Sequence, residues 1–545
     1  MAFELGSFAD EQLDVDYLTY LIDQQMVQSA GLQRRRWDYF RNPMVPVPAP
    51  GSRTSNGRLY VQAQEEGLPA RITGMDRMSK EQGNLGRKEV VIENDIAWRI
   101  HTMIDFLFGQ APNIRSKAAS PALAGCIERL IATMFDANGG PSFFQELALL
   151  GAVYGFVDVA FRIPAISPAT GLPTSGSVAS TLPAEFASAS ATTPGTSAAE
   201  DTAAENVSRD PSGDRFKRYL ERALPSARSI ILETVEAPRV LPILDENNFR
   251  QVRYWVQRLY KYPSRMENGP WSWRAFLGGG REQSPSVVEV VEIISPQWWQ
   301  RYEDRVLTAE GENGLGRLPV VHIQNMPQPL SYEGLGDVEP LIPLQDELNT
   351  RLSDRANRVT YQAFKMYLAK GIEDFMSRPV APGQMWSTQN PQATIQEFGT
   401  DNGSPSESAH IEQVRAAMDK VSAVPPLAAG IIGGNIGNLT SATALKVLLG
   451  GLLARTEKKR LAYGGGIAGI VELALAWLDK AGLFPTSPAD RQIEIHWPNP
   501  LPVDEGEQLR NAQIKAQLGL PSERILAELG YDRGAGANSK EILQT

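Results

Sequence analysis

Apolar positions recurring every three to four residues, then every second residue, then every three to four again divide this chain into blocks. In NDIAWRIHTMIDFLFG, Ile96, Ile100, Met103, Ile104 and Leu107 share one helical face. Asn94 or Asp95 stands where an N-cap belongs, and Gly109 and Pro112 end the run. Phe143 to Ala152 reads as a further helix, running into YGFVDVAFRI, where Val157, Val159 and Phe161 alternate as in a strand. From about 229 to 326 the segments SIILETVEAPRVLPIL, FRQVRYWVQRLYKY, PSVVEVVEIISPQWWQRYED and LPVVHIQN are β-branched and aromatic, bounded by Pro, Gly or Asn, and predict one meandering sheet.

The helical period returns at Leu344, with Leu348, Leu352, Ala356, Val359 and Ala363 as its apolar stripe. Pro340 fits a first turn; Pro343 places the helix start, or a kink, at that point. A Pro/Gly/Asn/Ser-rich stretch, 364–408, separates it from a helix over about 409–423, which Val424-Pro425-Pro426 stops. PLAAGIIGGNIGNLT is apolar and glycine-rich without a regular period. Thr440 or Ser441 then caps a long helix, expected to break or bend at Gly464-Gly465-Gly466 and to end near Gly482. QIEIHWPNPLP reads as a strand, followed by helices over roughly 504–518 and 522–529 that Gly519 and Gly530 stop. Residues 164–214 are dominated by Ala, Ser, Thr, Pro and Gly; they cannot bury enough surface to offset ordering entropy and predict a flexible insertion.

Composition narrows the function classes. The 545 residues suffice for several compact units, with 42% hydrophobic and 21% charged residues. The formal net charge of −10 is the wrong sign for a protein that grips nucleic acid by neutralising phosphates. DNA is then either no partner, or a partner that must not stick. The one cysteine, Cys126, excludes an intramolecular disulfide and reads as a small buried hydrophobe. The first sixteen residues are acidic, without a signal-peptide pattern, and the apolar run 464–478 is interrupted by Glu472 and short for a bilayer, so no membrane partner is expected.

Chemistry is scarce. The glycine runs at 278–280, 433–437 and 464–466 lack the Lys and preceding strand of a phosphate cradle. His101, His322, His410 and His496 are scattered, without metal-ligand spacing; His101 and Asp105 share a helix face, where a structural hydrogen bond is the expected role. The Asp346-Glu347 pair reads as a solvated helix face. Arg34, Arg35, Arg36, Trp37, Tyr39, Phe40 and Arg41 form a basic-aromatic cluster that suits a protein interface better than nucleic acid in so acidic a chain. Arg455, Lys458, Lys459 and Arg460 form a second basic run, read as a solvated helix face or, more sharply, a face toward DNA. No enzymatic activity, cofactor or metal is expected.

The order of these segments resembles the portal proteins of tailed bacteriophages, the head-to-tail connector family. WDYFRNP (37–43), NDIAWRIHTMIDFLFGQAP, VYGFVDVAF, LTSATALKVLL, IEIHWPNPLPVDE and GLPSERILAELG each look like a family segment in the family's order. The longest, YEGLGDVEPLIPLQDELNTRLSDRANRV, matches at Gly336, Asp337, Glu339, Leu348, Asn349, Ser353, Asp354, Ala356 and Asn357; Ala442 stands where the pattern has Gly, and the 164–214 insertion has no counterpart. The resemblance implies an α+β portal fold: a wing of helices and mixed sheet (1–335 and 441–502), a two-helix stem (336–363 and 409–424), a small α/β clip (364–408), a tunnel loop (425–440) and a helical crown (503–545).

It further implies a homo-oligomeric ring, usually dodecameric, at the capsid portal vertex of the virion, assembled in the host cytoplasm. Double-stranded DNA would be packaged and ejected through it. Terminase large subunit, major capsid and scaffolding proteins and a head–tail adaptor would be its partners. In the tunnel loop, Gly433, Gly434, Asn435, Gly437, Asn438 and Thr440 suit a neutral, flexible lining, and Trp386 and Phe398 are expected between neighbouring clips. The alternative within the same particle is an adaptor or minor capsid protein; the two-helix stem around a short insert favours the portal.

Overall fold

The computed structural model describes residues 14–46, 60–73, 89–162, 211–248, 251–261, 287–363, 366–370, 391–398, 405–430, 442–501, 505–522 and 525–526. Helix α1 (Val15–Tyr20), capped by the Asp14 carboxylate on the Tyr17 amide at 2.6 Å, passes through one π turn into α2 (Met26–Arg41). A short pair, β1 (Met44–Pro46) and β2 (Tyr60–Gln62), and the turn α3 (Ala70–Thr73) follow. Then come α4 (Asp95–Phe108), β3 (Asn113–Ser116), α5 (Pro121–Ala137), α6 (Pro141–Tyr154) and β4 (Phe156–Arg162). Asn94, not Asp95, caps α4, accepting from the Ala97 amide at 3.3 Å, and the predicted stripe Ile96, Ile100, Met103, Ile104 and Leu107 is buried.

Helix α7 (Pro211–Ser229) begins inside the stretch read as a flexible insertion. Leu220, Ala223 and Ala227 recur at helical spacing and are buried against the main core, which is why this end of the stretch orders. Residues 163–210 lie outside the described residues.

The single predicted meander resolves into two sheets. Strands β6 (Val240–Leu244), β7 (Val252–Lys261), β8 (Val288–Ile294), β9 (Trp298–Glu303) and β10 (Val306–Glu312) form an antiparallel meander in sequence order. The flanking β5 (Ile231–Val235) and β11 (Val320–Gln324) leave it and pair on either side of β4. All seven β4 residues are buried, so this strand needs partners at both edges and cover on both faces. One face of the meander packs Tyr254, Val256, Val291 and Ile293 against Leu18, Ile22 and Met26 of the N-terminal helix. Each of those three side chains contributes about 1.5–3 kcal/mol by leaving water.

Helix α8 (Ile342–Ala363) starts one residue before Pro343, which therefore sits in the first turn and causes no kink. Strands β12 (Met366–Lys370) and β13 (Thr394–Phe398) pair antiparallel, and α9 (Pro405–Ser422) follows. The long helix is broken elsewhere than expected: α10 (Ala442–Leu448) and α11 (Gly450–Lys480) part at Leu449, and α11 runs unbroken through Gly464–Gly466. A Cβ on Gly466 would collide with the Ile323 side chain, so that glycine permits close packing on β11 rather than a bend. By length and composition α11 is apolar enough to cross a bilayer, but 56% of its most apolar window is buried within the chain, making it a core helix. Strand β14 (Ile493–His496) pairs with β3, and α12 (Glu505–Gln517) ends before Gly519, whose φ is +84°. Of the further helix predicted over 522–529, only 522 and 525–526 are described, in helical conformation.

Candidate functional site at the roots of residues 431–441

Helix α8 carries a buried polar stripe that the apolar pattern conceals. Gln345, Asn349, Ser353 and Asn357, four residues apart, face an extended segment running the opposite way. Asp95 N donates to Gln345 Oε1 (3.1 Å), Glu93 N to Asn349 Oδ1 (3.1 Å), Val91 N to Ser353 Oγ (3.0 Å) and Glu89 N to Asn357 Oδ1 (2.9 Å). Gln345 Nε2, Ser353 Oγ and Asn357 Nδ2 donate back to the carbonyls of Glu93, Val91 and Glu89. Four helical residues rise about 6 Å and two extended residues about 6.6 Å, so the two ladders stay nearly in step. The stripe thus acts as a sheet edge for residues 89–95. The expected apolar stripe holds at Leu348, fully buried, but Val359 is 56% exposed.

Asn349 also receives hydrogen bonds from Gln345 and donates to Gln64 Oε1 at 2.9 Å. Asn349→Leu keeps the branching and number of side-chain heavy atoms and strands the Glu93 amide and Gln64. It is expected to lower stability by about 1–3 kcal/mol, read as a lower guanidinium midpoint with unchanged slope.

Helix α9 returns alongside α8, burying Ile411, Val414 and Met418. Arg358 pairs with Glu407, and His410 Nε2 lies 2.9 Å from Glu347, which Arg351 also holds at 2.7 Å. Burial disfavours the Glu347 carboxylate, but hydrogen bonds from His410 and Arg351 prevail and lower its pKa. Asp346 accepts from the Tyr39 hydroxyl at 2.6 Å, and burial raises its pKa. This pair is therefore partnered and half-buried, not the solvated face expected.

Two arginines seize the end of α9. Arg99, 1% exposed, reaches Asp419 (2.5 Å) and the Val424 carbonyl (2.9 Å) and is itself held by Asp95 (2.8 Å). Arg455 of α11 donates to the carbonyls of Val421 (3.0 Å) and Ser422 (3.1 Å). Cations there satisfy the orphan carbonyls at a helix C-terminus and oppose the negative end of its dipole. Arg455 continues to Asp337 at 2.6 Å, and Asp337 also receives Lys459 at 2.5 Å and Asn325 at 2.9 Å. Burial drives Asp337 toward its neutral form, yet Lys459 and Arg455 overcome this and lower its pKa. The segment 425–430 thus leaves a fixed base, and α10–α11, on the far side of 431–441, carry the Arg455 that helps fix it.

Both basic runs are redirected by this packing. Arg455, Lys459 and Arg460 turn inward: Arg460 donates to the Pro498 carbonyl, pairs with Glu457 and lies over the Trp497 ring, 5.4 Å from its centroid; Lys458 alone of the four is exposed. The solvated-face and DNA-face readings both fail for those three. Of the N-terminal cluster, Tyr39 and Phe40 are core residues, Trp37 stacks on Tyr154 at 5.9 Å, and Arg36 binds the Tyr154 carbonyl and Glu339. The interface it was read for lies largely within the chain. His101 packs on Phe40 at 5.5 Å, and no His101–Asp105 hydrogen bond forms among the described residues. His322 joins a structural cluster with Asp158 (2.7 Å), which also accepts from Tyr332 (2.7 Å) and Trp255 (2.8 Å). Among the described residues no group of His, Cys, Asp or Glu has the arrangement to hold a metal.

Gly433, Gly434, Asn435, Gly437, Asn438, Thr440 and Trp386 lie outside the described residues; Phe398 is described in its backbone alone, opposite Met366. What the sequence reading missed is the scaffold around them: the 89–95 ladder, the Arg99 and Arg455 contacts and the Asp337 cluster. The four-residue spacing of Gln345, Asn349, Ser353 and Asn357 was the signal available for the first of these.

Residues 286–530 match the family model described as phage portal protein, SPP1 Gp6-like. Just under half of the chain is therefore similar to the phage portal family. The matched stretch takes in β8 to β11, the α8–α9 pair, α10, α11, β14 and α12, hence the site apart from the 89–95 strap and Arg99. The portal family is a structural, non-enzymatic component of phage particles. Among solved structures, the chain is similar to a component of the virion of the native gene transfer agent (GTA) particle, at 13% identity and a TM-score of 0.35, covering 84% of this chain and 99% of that one. It is also similar to a component of the neck of the empty GTA particle, at 11% identity and a TM-score of 0.38, covering 83% and 98%. No curated protein matches the chain.

Proposed function

We propose that this chain is the ring-forming subunit of a phage portal, the channel through which double-stranded DNA enters and leaves the capsid. The observation that carries the reading is the portal-family match over 286–530, which spans the α8–α9 pair and the long helix α11 together. In this reading the stem is 336–363 and 409–424, which hold α8 and most of α9; 364–408, including the first residues of α9, is the clip, 425–440 the tunnel loop and 503–545 the crown; the wing comprises 1–335 and 441–502. The ladder on α8 and the two arginines of α4 and α11 that hold the end of α9 support it physically, since a loop that works against moving DNA needs a rigid base. Gly433, Gly434, Asn435, Gly437, Asn438 and Thr440 would present flexible backbone and neutral polar groups to the duplex, and the net charge of −10 disfavours tight phosphate binding. Trp386 and Phe398 would pack between neighbouring clips. Terminase would dock during packaging and the head–tail adaptor afterwards, in a dodecameric ring at the capsid vertex, with capsid and scaffolding proteins around it.

The test is assembly. Purified protein in reducing buffer should sediment as a large ring and show an axial hole in negative-stain images, without ligand or nucleotide. A stable monomer at micromolar concentration overturns the reading.

A further inference from the structure

Helix α7 bears a concentration of positive charge that runs against the acidity of the whole chain. Arg215, Lys217, Arg218 and Arg222 are exposed within eight residues, and among the described residues none forms an ion pair. Glu221 is the one carboxylate among the described side chains of the helix. The opposite face is apolar: Leu220, Ala223 and Ala227 are buried, anchoring α7 to the main core, so the charged face is held out on a rigid element.

The spacing of the arginines is specific. Positions 215, 218 and 222 follow the three-then-four step that places residues on one helical face. They span about 10.5 Å along the axis, so the outer two arginines stand about as far apart as phosphates three steps apart on one strand of a duplex, where successive phosphates rise about 3.4 Å. Tyr219 lies beside them, its ring under Arg215 with 5.7 Å from guanidinium to centroid. Arg215, Arg222 and Arg218 all act on its hydroxyl, lowering its pKa, with the Arg215 hydrogen bond as the largest cause. The three exposed arginines and Tyr219 therefore make up one positively charged face of the helix. Guanidinium forks match phosphate oxygens in pairs of hydrogen bonds, and each phosphate neutralised releases counterions.

We propose that the Arg215, Arg218 and Arg222 face of α7 binds the phosphate backbone of duplex DNA without sequence preference, at a site separate from residues 425–440. The assignment rests on the portal reading for the presence of duplex DNA. An acidic protein segment would meet the same charges but has no regular phosphate spacing to match.

The test uses the full-length protein and a fluorescein-labelled 24-base-pair duplex of arbitrary sequence, with binding followed by anisotropy between 50 and 200 mM NaCl. Three phosphate contacts give the patch a salt slope of about −2.7, so its share of the affinity falls about 40-fold over that range. The triple variant R215Q/R218Q/R222Q should lose that share, its slope being shallower by about 3. Glu221→Gln, which removes the opposing charge without touching the arginines, should tighten binding. A triple variant with the wild-type slope and affinity overturns the assignment. So does a poly-glutamate peptide that binds the wild type as tightly as a duplex of equal charge, which points to an acidic protein partner. Sedimentation of the same samples separates the two readings: intact rings with unaltered DNA binding remove the α7 site alone, whereas a wild type that forms no ring removes the portal reading.

Discussion

Asp337→Asn should destabilise the protein by about 3–5 kcal/mol, the cost of leaving a buried charge without its partner. Lys459 is 2% exposed and finds its counter-charge in Asp337, which also holds Arg455. Asparagine has nearly the same shape, so the variant tests charge rather than packing, and its amide protons would face either Arg455 or Lys459, because each carboxylate oxygen accepts from a cation. Adding Lys459→Met to the Asp337→Asn variant removes the orphaned charge and should recover part of the loss. The pH dependence carries a sign as well. The folded pKa of Asp337 lies below its ordinary value, so its contribution is complete above the unfolded pKa of about 3.9 and is lost as pH falls through the folded one. Thermal melts below about pH 4 should therefore drop more steeply for the wild type than for Asp337→Asn; parallel profiles would show that Asp337 is not the charged centre of the cluster.

Gly155→Ala should be nearly as damaging, by a different route. Gly155 has φ +97°, and a Cβ there would collide with the Gly334 carbonyl oxygen and sit 3.1 Å from the Gly336 nitrogen. These are backbone atoms and cannot swing aside. The 334–337 turn would have to move, endangering the Asp337 N to Ala152 O bond (2.7 Å) and the Asn325 N to Gly155 O bond (2.9 Å). Strain from positive φ alone costs about 1–2 kcal/mol. Gly482→Ala isolates that share, because Gly482 has φ +68° with nothing within 4 Å of its Cβ position. The expected result is a loss above about 3 kcal/mol for Gly155→Ala and about 1–2 kcal/mol for Gly482→Ala, compared by guanidinium unfolding. Equal losses would mean that the turn yields freely.

These two sites also mark where sequence reasoning reached its limit. Helices α4, α8 and α9 and the strands of the β-rich block were legible because their apolar residues keep the helical or alternating period through each element. Helix α7 keeps one too, at Phe216, Leu220, Ala223 and Ala227, but it abuts a low-complexity stretch and contains Pro225, and both obscure it. The glycines at 464–466 suggested a bend because conformational freedom is visible in a sequence, whereas close approach to Ile323 is not. Basic residues at 455–460 looked solvated because their partners, Asp337 and Pro498, are remote in the chain. The elements of the candidate site could be read one at a time. The contacts that make them a unit could not, since charge pairs and hydrogen bonds between distant segments leave no local period.

The ladder between α8 and residues 89–95 acts as a vernier. Two scales of different unit, four residues on one side and two on the other, coincide at four successive marks. Adjustment is therefore quantised. A single-residue shift of the strap turns its amides away from every mark, and the smallest shift that restores coincidence is two residues, with a rung vacated at one end. Changes of length in the two segments are coupled in the same ratio: two residues gained by the strap can be matched by four gained by the helix and by no smaller number. The N-terminal part of the chain is thus indexed to the helix, and any lineage that lengthens one of the two must do so in whole steps of the other.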